Sequence, residues 1–472
     1  MFRGKLHTGL FTQDPKHPTT SPNDLPHAMK TNCMFSRKFP LTIACALTVI
    51  VYVVITSSRL QPDKHRPHRQ LHPIYISNQS ITPVNGTRHL MVGAYREYRL
   101  EGRSVRIISI FRRDSVQPLY CVFYCGTHWD NATEPAVEAE VQMHSDHFDF
   151  PFVTTDVLCR HRPGCNPTHV TLSKQAGALH ALNYTFLQIQ NLVKREEEDK
   201  FPLNFTVCVS NLFGDYNNVL QFAQTLEMYK LLEVQRVVVY KTHCGPDLDR
   251  LLQSYTKDGF LEVVPWPIDR HMTPSRGWKP SEHAGDIHYY GQLTTLNDCV
   301  YRNMYQSRYV LLNDIDEIIT PYLHKTLSQL MEVLQRQHPQ AGVFLIENHI
   351  FPKSQFEPSG RFDQPRWRDV PGINILQHIY REEPDYTIYH PSKMIVRPRS
   401  VEQTSVHAVL SNFGETIKVP PSMCHIIHVR VPLRGGLSKD ELHEDKRLWD
   451  YEKQLVPNVD KALERAGLLT SG

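Results

Sequence analysis

Two carboxylates stand two residues apart in Asn313-Asp314-Ile315-Asp316-Glu317, directly after the apolar run Tyr309-Val310-Leu311-Leu312. An Asp-x-Asp leaving a buried strand at its carboxyl end turns both side chains toward the crevice there. Hard divalent ions such as Mg²⁺ or Mn²⁺ take such oxygens and share them with a diphosphate. The same tripeptide on a surface turn would only meet water; the apolar strand before it favours a site. An EF-hand loop from Asp314 would need glycine at its sixth position, where Ile319 stands. No G-x-x-x-x-G-K, G-x-G-x-x-G, H-E-x-x-H or G-x-S-x-G run occurs in the chain. A nucleotide would therefore be held by a metal and a crevice rather than by a phosphate-cradling loop.

Other residue types extend this chemistry. His407 and His428 are the imidazoles proposed to complete a metal shell with Asp314 and Asp316. Arg430 carries a planar fork suited to a diphosphate, or to a surface carboxylate. Gln292, Asn297 and Asn211 stand where a nucleotide could meet them, with a polar helix face or a turn as the plainer roles. A transfer to a hydroxyl needs a base within hydrogen-bond reach; order along the chain favours Glu382, Glu383 and Asp385, between the strand 342–347 and Lys393, with Glu347 and Asp369 as further options. Trp266, Trp278 and Trp367 suit sugar stacking or core packing.

These groups must be positioned by something. Phe205–Ser210, Arg236–Lys241, Leu261–Pro265 and Tyr309–Leu312 read as strands. Between them lie three helices: one capped by Asn217 with Val219, Phe222, Ala223, Leu226 and Tyr229 on one face, then 247–257, then 292–305. Four strands with three helices between them predict parallel βαβ units and a doubly wound sheet. Before them, residues 104–111 and 118–124 read as short β-branched or aromatic strands of a small β-rich domain. The charge run at residues 194–200 reads as a solvated loop closing that domain.

Taken in order, these segments resemble glycosyltransferase family 92. The resemblance rests on Leu119-Tyr120-Cys121, Val207-Cys208-Val209-Ser210 with Leu212-Phe213-Gly214, Gln292 through Leu296-Asn297-Asp298-Cys299 to Arg302, Asp314-Ile315-Asp316-Glu317 with Pro321, residues 393–398 with His407, and His428-Val429-Arg430. Val429 stands where an aromatic is expected. The resemblance implies an α/β protein with a GT-A-type (Rossmann-like) glycosyltransferase domain, a UDP-sugar donor, Mn²⁺ or another divalent cation, and inversion at the anomeric carbon. Its galactosyltransferase members are Golgi enzymes, so galactose is the implied sugar and a glycan on protein or lipid the implied acceptor. A catalytically silent lumenal lectin on the same fold, or a metal-dependent hydrolase, would use the same residues differently.

The whole chain has 472 residues, 40% hydrophobic and 10% aromatic, with a formal net charge of +3. That is rich enough for a core and lacks the basic excess of a nucleic-acid binder. No charge interrupts the 20 residues between Lys38 and Arg59, enough for a membrane helix. Sequons at Asn78, Asn85, Asn131, Asn183 and Asn204 all follow that span, whereas Asn166 precedes a proline. Eight cysteines also follow it, compatible with up to four disulfides in an oxidising lumen and lacking the paired spacing of a zinc finger. The expected organisation is a cytoplasmic tail over 1–38, an anchor over 39–58, a stem over 59–90, a β-rich lumenal domain over 91–200, a catalytic domain over 201–455 and a C-terminal tail over 456–472. It would be a single-pass type II protein of the Golgi membrane.

Overall fold

The computed structural model describes residues 51–53, 75–100, 104–125, 136–176, 184–192, 200–387, 391–432, 435 and 437–469. The chain divides into two compact units, residues 1–70 and 71–472. Of the first, only Val51, Tyr52 and Val53 are described, as helix. The expected tail, most of the expected anchor, the 194–199 part of the charge run and the sequons Asn131 and Asn183 lie outside the described residues. Among the described residues no helix is long and apolar enough to cross a membrane.

The second unit opens with nine strands: Tyr75–Ile76 (β1), Thr82–Pro83 (β2), Leu90–Glu97 (β3), Ser104–Arg112 (β4), Tyr120–Cys125 (β5), Val137–Met143 (β6), Phe152–Arg160 (β7), Pro167–Ser173 (β8) and Thr185–Gln190 (β9). Their order is β1-β9-β8-β5-β6-β7-β4-β3-β2, and a parallel pairing of β9 with β3 closes the sheet on itself. Closure removes most of the exposed edge. The interior is filled by Val105, Ile107, Phe111, Phe123, Val157 and Leu172. Disulfides Cys121–Cys159 and Cys125–Cys165 tie it together. The expected stem therefore ends early: β1 and β2 fall within 59–90, and Ile81 and Val84 are buried. Polar composition hid this because only a few apolar residues of that stretch face inward.

The second sheet begins with Leu203–Leu212 (β10), Val219–Leu231 (α1), Arg236–Lys241 (β11), Pro246–Lys257 (α2), Leu261–Pro265 (β12), Gln292–Asn303 (α3) and Ser307–Leu312 (β13). Strands β12, β11, β10 and β13 lie side by side and parallel. Strand β10 is apolar on both faces because both are covered, Val207 and Val209 on one side and Cys208 on the other. In α2, Leu248, Leu251, Leu252 and Tyr255 make the buried stripe and Pro246 opens the helix. Asn217 does not cap α1. Its Oδ1 accepts the Leu248 N–H at 3.0 Å and so caps α2, brought near in space by the parallel crossover.

From here the sheet departs from the all-parallel expectation. Glu317–Pro321 (β14), Leu327–Gln337 (α4), Ala341–Pro352 (β15), Tyr380–Arg381 (β16), Ser392–Val396 (β17), Val401–Thr404 (β18), Val409–Asn412 (β19), Glu415–Lys418 (β20), Cys424–Arg430 (β21), His443–Glu444 (β22) and Glu452–Arg465 (α5) follow. The order is β12-β11-β10-β13-β17-β15-β21-β14, with β17 antiparallel to both neighbours and β14 antiparallel to β21. The four residues joining β13 to β14 are too few for a parallel crossover. Strand β15 changes partner along its length: Val343–Glu347 pair with β17, and Glu347–Pro352 pair with β21. The expected C-terminal tail is also corrected. Leu455, Val459, Ala462 and Leu463 of α5 are buried in the main core.

The barrel and the second sheet share a buried ionic seam. Arg106 of β4 is fully buried and contacts Asp156 at 2.5 Å, Glu97 at 3.3 Å and Glu402 of β18 at 2.8 Å. Asp298 of α3 accepts from Tyr95 of the barrel and Tyr240 of β11, both at 2.6 Å. Removing one member of such a network would strand a buried charge, so the two sheets form one body.

Candidate active site

Strand β13 ends at Leu312, and Asn313 closes the turn that follows. Its Nδ2 donates to the carbonyls of Asp314 and Glu317 at 2.9 and 2.8 Å. The Glu317 carboxylate accepts the Asp314 N–H at 2.8 Å. The turn thus presents Asp314 and Asp316 at the carboxyl end of the parallel strands, each with about a third of its side chain exposed (38% and 34%).

Asp314 is held at both oxygens. Oδ1 lies 3.3 Å from Gln292 Nε2 and 3.4 Å from Ser210 Oγ, and Oδ2 lies 2.9 Å from Lys393 Nζ. Lys393 is 2% exposed and also sits 3.5 Å from Glu317 Oε2. Burial alone would raise the Asp314 pKa, but the Lys393 ammonium outweighs it and holds the carboxyl below its usual range. Burial, followed by the repulsion of Asp314, leaves Glu317 raised despite Lys393. Asp316 Oδ2 lies 3.3 Å from His428 Nε2, while His428 Nδ1 lies 3.4 Å from Glu317 Oε1 and 3.1 Å from Asn348 Nδ2. Register explains this meeting, because β21 places His428 opposite Glu317 on one side and Ile350 on the other. Burial lowers the His428 pKa, but Asp316 and then Glu317 prevail and raise it.

A second group of residues supports this cluster. His407 Nδ1 lies 3.0 Å from the Ser392 carbonyl, and burial with the nearby Lys393 charge pushes its pKa down to about 4. His288 is pushed down to about 3, by burial and then by His407. Both imidazoles are neutral at pH 7. Before α3 the backbone is left-handed at Tyr289, Tyr290 and Gly291 (φ 33°, 53° and 77°). Consecutive non-glycine residues there are strained and need an external hold. Asn211 Nδ2 donates to the Tyr289 and Tyr290 carbonyls at 2.7 and 3.2 Å, and Trp266 Nε1 to the Tyr290 carbonyl at 2.7 Å.

The barrel reaches into this region. Phe148 stacks on His288 with ring centres 4.1 Å apart, and the Phe152 N–H donates to the Asp286 backbone carbonyl. Asp146 accepts a hydrogen bond from Ser405, in the loop that carries His407.

The sequence-derived residues fall into three groups. Asp314, Asp316, His428, Gln292 and His407 come together at the strand ends, with Arg430 exposed at the end of β21. Asn211 holds backbone at the same place. Asn297 does not belong: it is 1% exposed, and its amide is spent on the Leu293 carbonyl and both backbone groups of Thr404. It positions the His407 loop, which corrects its assignment to a nucleotide. Among the base candidates, Glu347 lies where β15 changes partner. Glu382 is 5% exposed with its N–H on the Ile350 carbonyl, and Asp385 accepts the N–H and hydroxyl of Thr387 in a local turn. Trp266 and Trp367 are core residues, at 0% and 3% exposure, and Trp278 is exposed. Lys393, Glu317, Ser210, His288 and Tyr289 were not assigned roles from sequence; a lysine inside an apolar strand was the available signal for the first.

The donor chemistry fits a hard divalent cation: two part-exposed carboxylates two residues apart, with an imidazole 3.3 Å from one of them. Among the described residues no three such groups already converge on a common point. In open α/β sheets ligands bind in the crevice beyond the carboxyl ends of the strands, where this acidic pair stands. Residues 204–459, more than half of the chain, match the family model of Glycosyltransferase family 92, and the chain belongs to that family.

Two Caenorhabditis elegans proteins are similar. Glycosyltransferase family 92 protein F13G3.3 is 22% identical over 56% of this chain and 50% of its own length. Beta-1,4-galactosyltransferase galt-1 is 24% identical over 28% of this chain and 30% of its own. The chain thus spans half or less of each. Among solved structures, S. aureus TarS with UDP-GlcNAc matches 54% of this chain and 66% of its own at 14% identity and a TM-score of 0.28. The Pyrobaculum calidifontis mannosyltransferase PcManGT with GDP-Man and Mn²⁺ matches 58% and 77% at 14% identity and 0.27.

Proposed function

We propose that this protein transfers a hexose, galactose, from a UDP-sugar to a glycan hydroxyl on glycoprotein or glycolipid by a single inverting displacement. We also propose that it does so as a type II Golgi membrane protein with its catalytic part in the lumen. The observation that carries the reading is the position of Asp314 and Asp316 at the end of a parallel strand in a family 92 chain. Galactose follows the name of one worm relative. The lumenal placement draws on three disulfides and on the exposed sequon asparagines Asn78, Asn85 and Asn204.

Asp314 and Asp316 would hold Mn²⁺ or a similar ion, with His428 as the adjacent imidazole; bound there, it would neutralise charge on the leaving diphosphate. The chain's own part is distinct. Lys393 keeps Asp314 ionised, and Gln292 with Ser210 fixes the orientation of its other oxygen. Arg430 would pair with phosphate oxygens. The left-handed turn before α3 is pinned by Asn211 and Trp266.

The test is UDP release by the full chain in detergent, with Mn²⁺, a panel of UDP-sugars and mixed N-glycan acceptors. Release that needs acceptor, metal and both aspartates, and is lost in Asp314→Ala and Asp316→Ala, is expected. Folded protein that releases UDP from no donor would refute the reading and favour a silent glycan-binding protein.

A further inference from the structure

The displacement leaves one step without an owner, the removal of the acceptor proton. Glu347 stands at the register position where β15 leaves β17 and joins β21, opposite Ser392 on one side and His425 on the other. Leu312, Met394 and Leu345 are aligned across β13, β17 and β15, so Glu347 follows that line by two residues, as Asp314 does. Two strand spacings separate the ends of β13 and β15, roughly 10 Å. Ser392, at the start of β17, stands between those two ends.

The surroundings of Glu347 are unlike those of a structural carboxylate. It is 2% exposed, yet its Oε2 accepts a 2.6 Å hydrogen bond from Tyr386, a tyrosine 67% exposed. Its Oε1 lies 3.0 Å from His349 Nε2, and Lys418 Nζ lies 3.7 Å from Oε2 and 5.3 Å from the centre of the Tyr386 ring. A large aromatic is thus held out in solvent while its hydroxyl reaches a buried acid. An amphipathic ring at the surface with a polar tip is the kind of side chain a sugar ring stacks on.

Resting on the transferase reading above, we propose that Glu347 is the general base and that Tyr386 is the platform of the acceptor subsite, which takes a terminal hexose. The acceptor ring lies on Tyr386, and its hydroxyl takes the place of the phenol at Glu347 Oε2. As that oxygen attacks the anomeric carbon, its proton passes to Glu347 and the new C–O bond forms. The bond from the anomeric carbon to the phosphate oxygen breaks, and its electron pair leaves on the diphosphate. Glu347 then returns the proton to water. Asp385 is less suited, because its carboxylate accepts the N–H and hydroxyl of Thr387 in its own turn.

The experiment compares full-chain wild type with Glu347→Gln, Tyr386→Ala and Tyr386→Phe. It reads kcat, KM for donor and acceptor, UDP affinity by calorimetry with Mn²⁺, and saturation-transfer NMR with methyl β-galactoside, methyl β-glucoside and methyl α-mannoside. Glu347→Gln should lower kcat by about 10²- to 10⁴-fold with UDP affinity unchanged. Tyr386→Ala should raise the acceptor KM by about tenfold, leave the donor KM alone and erase the glycoside NMR signal, while Tyr386→Phe keeps that signal. Full turnover in Glu347→Gln, or an unchanged acceptor KM and glycoside signal in Tyr386→Ala, overturns the proposal. Should wild type use no donor, the transferase reading falls by itself, and the Tyr386-dependent glycoside signal still decides the subsite. Tyr386 is exposed, so its variants keep the test valid even if Glu347→Gln fails to fold.

Discussion

Lys393 Nζ lies 2.9 Å from Asp314 Oδ2, almost wholly buried, so a fixed ammonium sits inside the acidic cluster that defines the crevice. The pair joins β17 to the turn that follows its antiparallel neighbour β13, and serves stability and site geometry together. Lys393→Met should leave Asp314 and Glu317 without their cation and destabilise the fold by about 3 kcal/mol. Urea denaturation reads this directly, and a loss under about 1 kcal/mol would mean that water relieves the charges. Asp314→Asn combined with Lys393→Met should recover part of the loss.

Asp316 has a different balance. Its side chain is a third exposed and, among the described residues, ion-paired with His428 alone, so Asp316→Asn should change the melting temperature little. Under the proposed function it should lower UDP release by about 10²-fold or more. EDTA should abolish release in wild type and added Mn²⁺ restore it. Undiminished turnover in EDTA would remove the metal from the reading.

His288 makes acid stability measurable. Its pKa is pushed down to about 3 by burial, against about 6.5 in the unfolded chain, so unfolded protein takes up the proton first on acidification. Its contribution is complete above pH 6.5 and is lost as pH falls from there toward 3. At pH 5 the loss is about 2 kcal/mol. His349 and His378, also lowered by burial, act in the same direction, so the measurement is a difference. His288→Phe should show a shallower fall in melting temperature between pH 7 and pH 5 than wild type.

The barrel supports the crevice from outside it. Phe148 stacks on His288, and Asp146 holds the His407 loop through Ser405. Phe148→Ala and Asp146→Ala should therefore lower kcat by about tenfold while leaving the far seam at Arg106 intact, since small displacements of positioning groups are expensive in rate. Crevice geometry independent of the barrel would show as unchanged kcat in both.

Cysteine labelling checks the disulfide arrangement and the compartment at once. Alkylation of denatured, unreduced protein should modify Cys244 and Cys424 and spare Cys121, Cys125, Cys159, Cys165, Cys208 and Cys299. Labelling of Cys208 and Cys299 would contradict the link between β10 and α3.

Much of the frame was readable because it is written in local periodicity. Continuous apolar runs such as Thr206–Val209 mark strands covered on both faces, and Leu248, Leu251, Leu252 and Tyr255 mark a one-sided helix. Asp314 and Asp316 were legible because the strand before them says which end they occupy. Barrel closure, the mixed second half of the sheet and the burial of α5 were not legible. Each depends on which segments pair, and pairing of short strands far apart in the chain leaves no local trace.

The sequence by itself therefore determined the alternation of strands and helices, the acidic pair at a strand end and the surplus of cysteines and sequons beyond the apolar span. Only the tertiary structure decided which groups meet that pair. Lys393, His428 and Gln292 reach Asp314 and Asp316 through register and helix placement, and Asn297 turns away into the scaffold. The physical reason is that a buried charge takes its partner from whatever strand the register sets beside it, over separations that no residue spacing encodes.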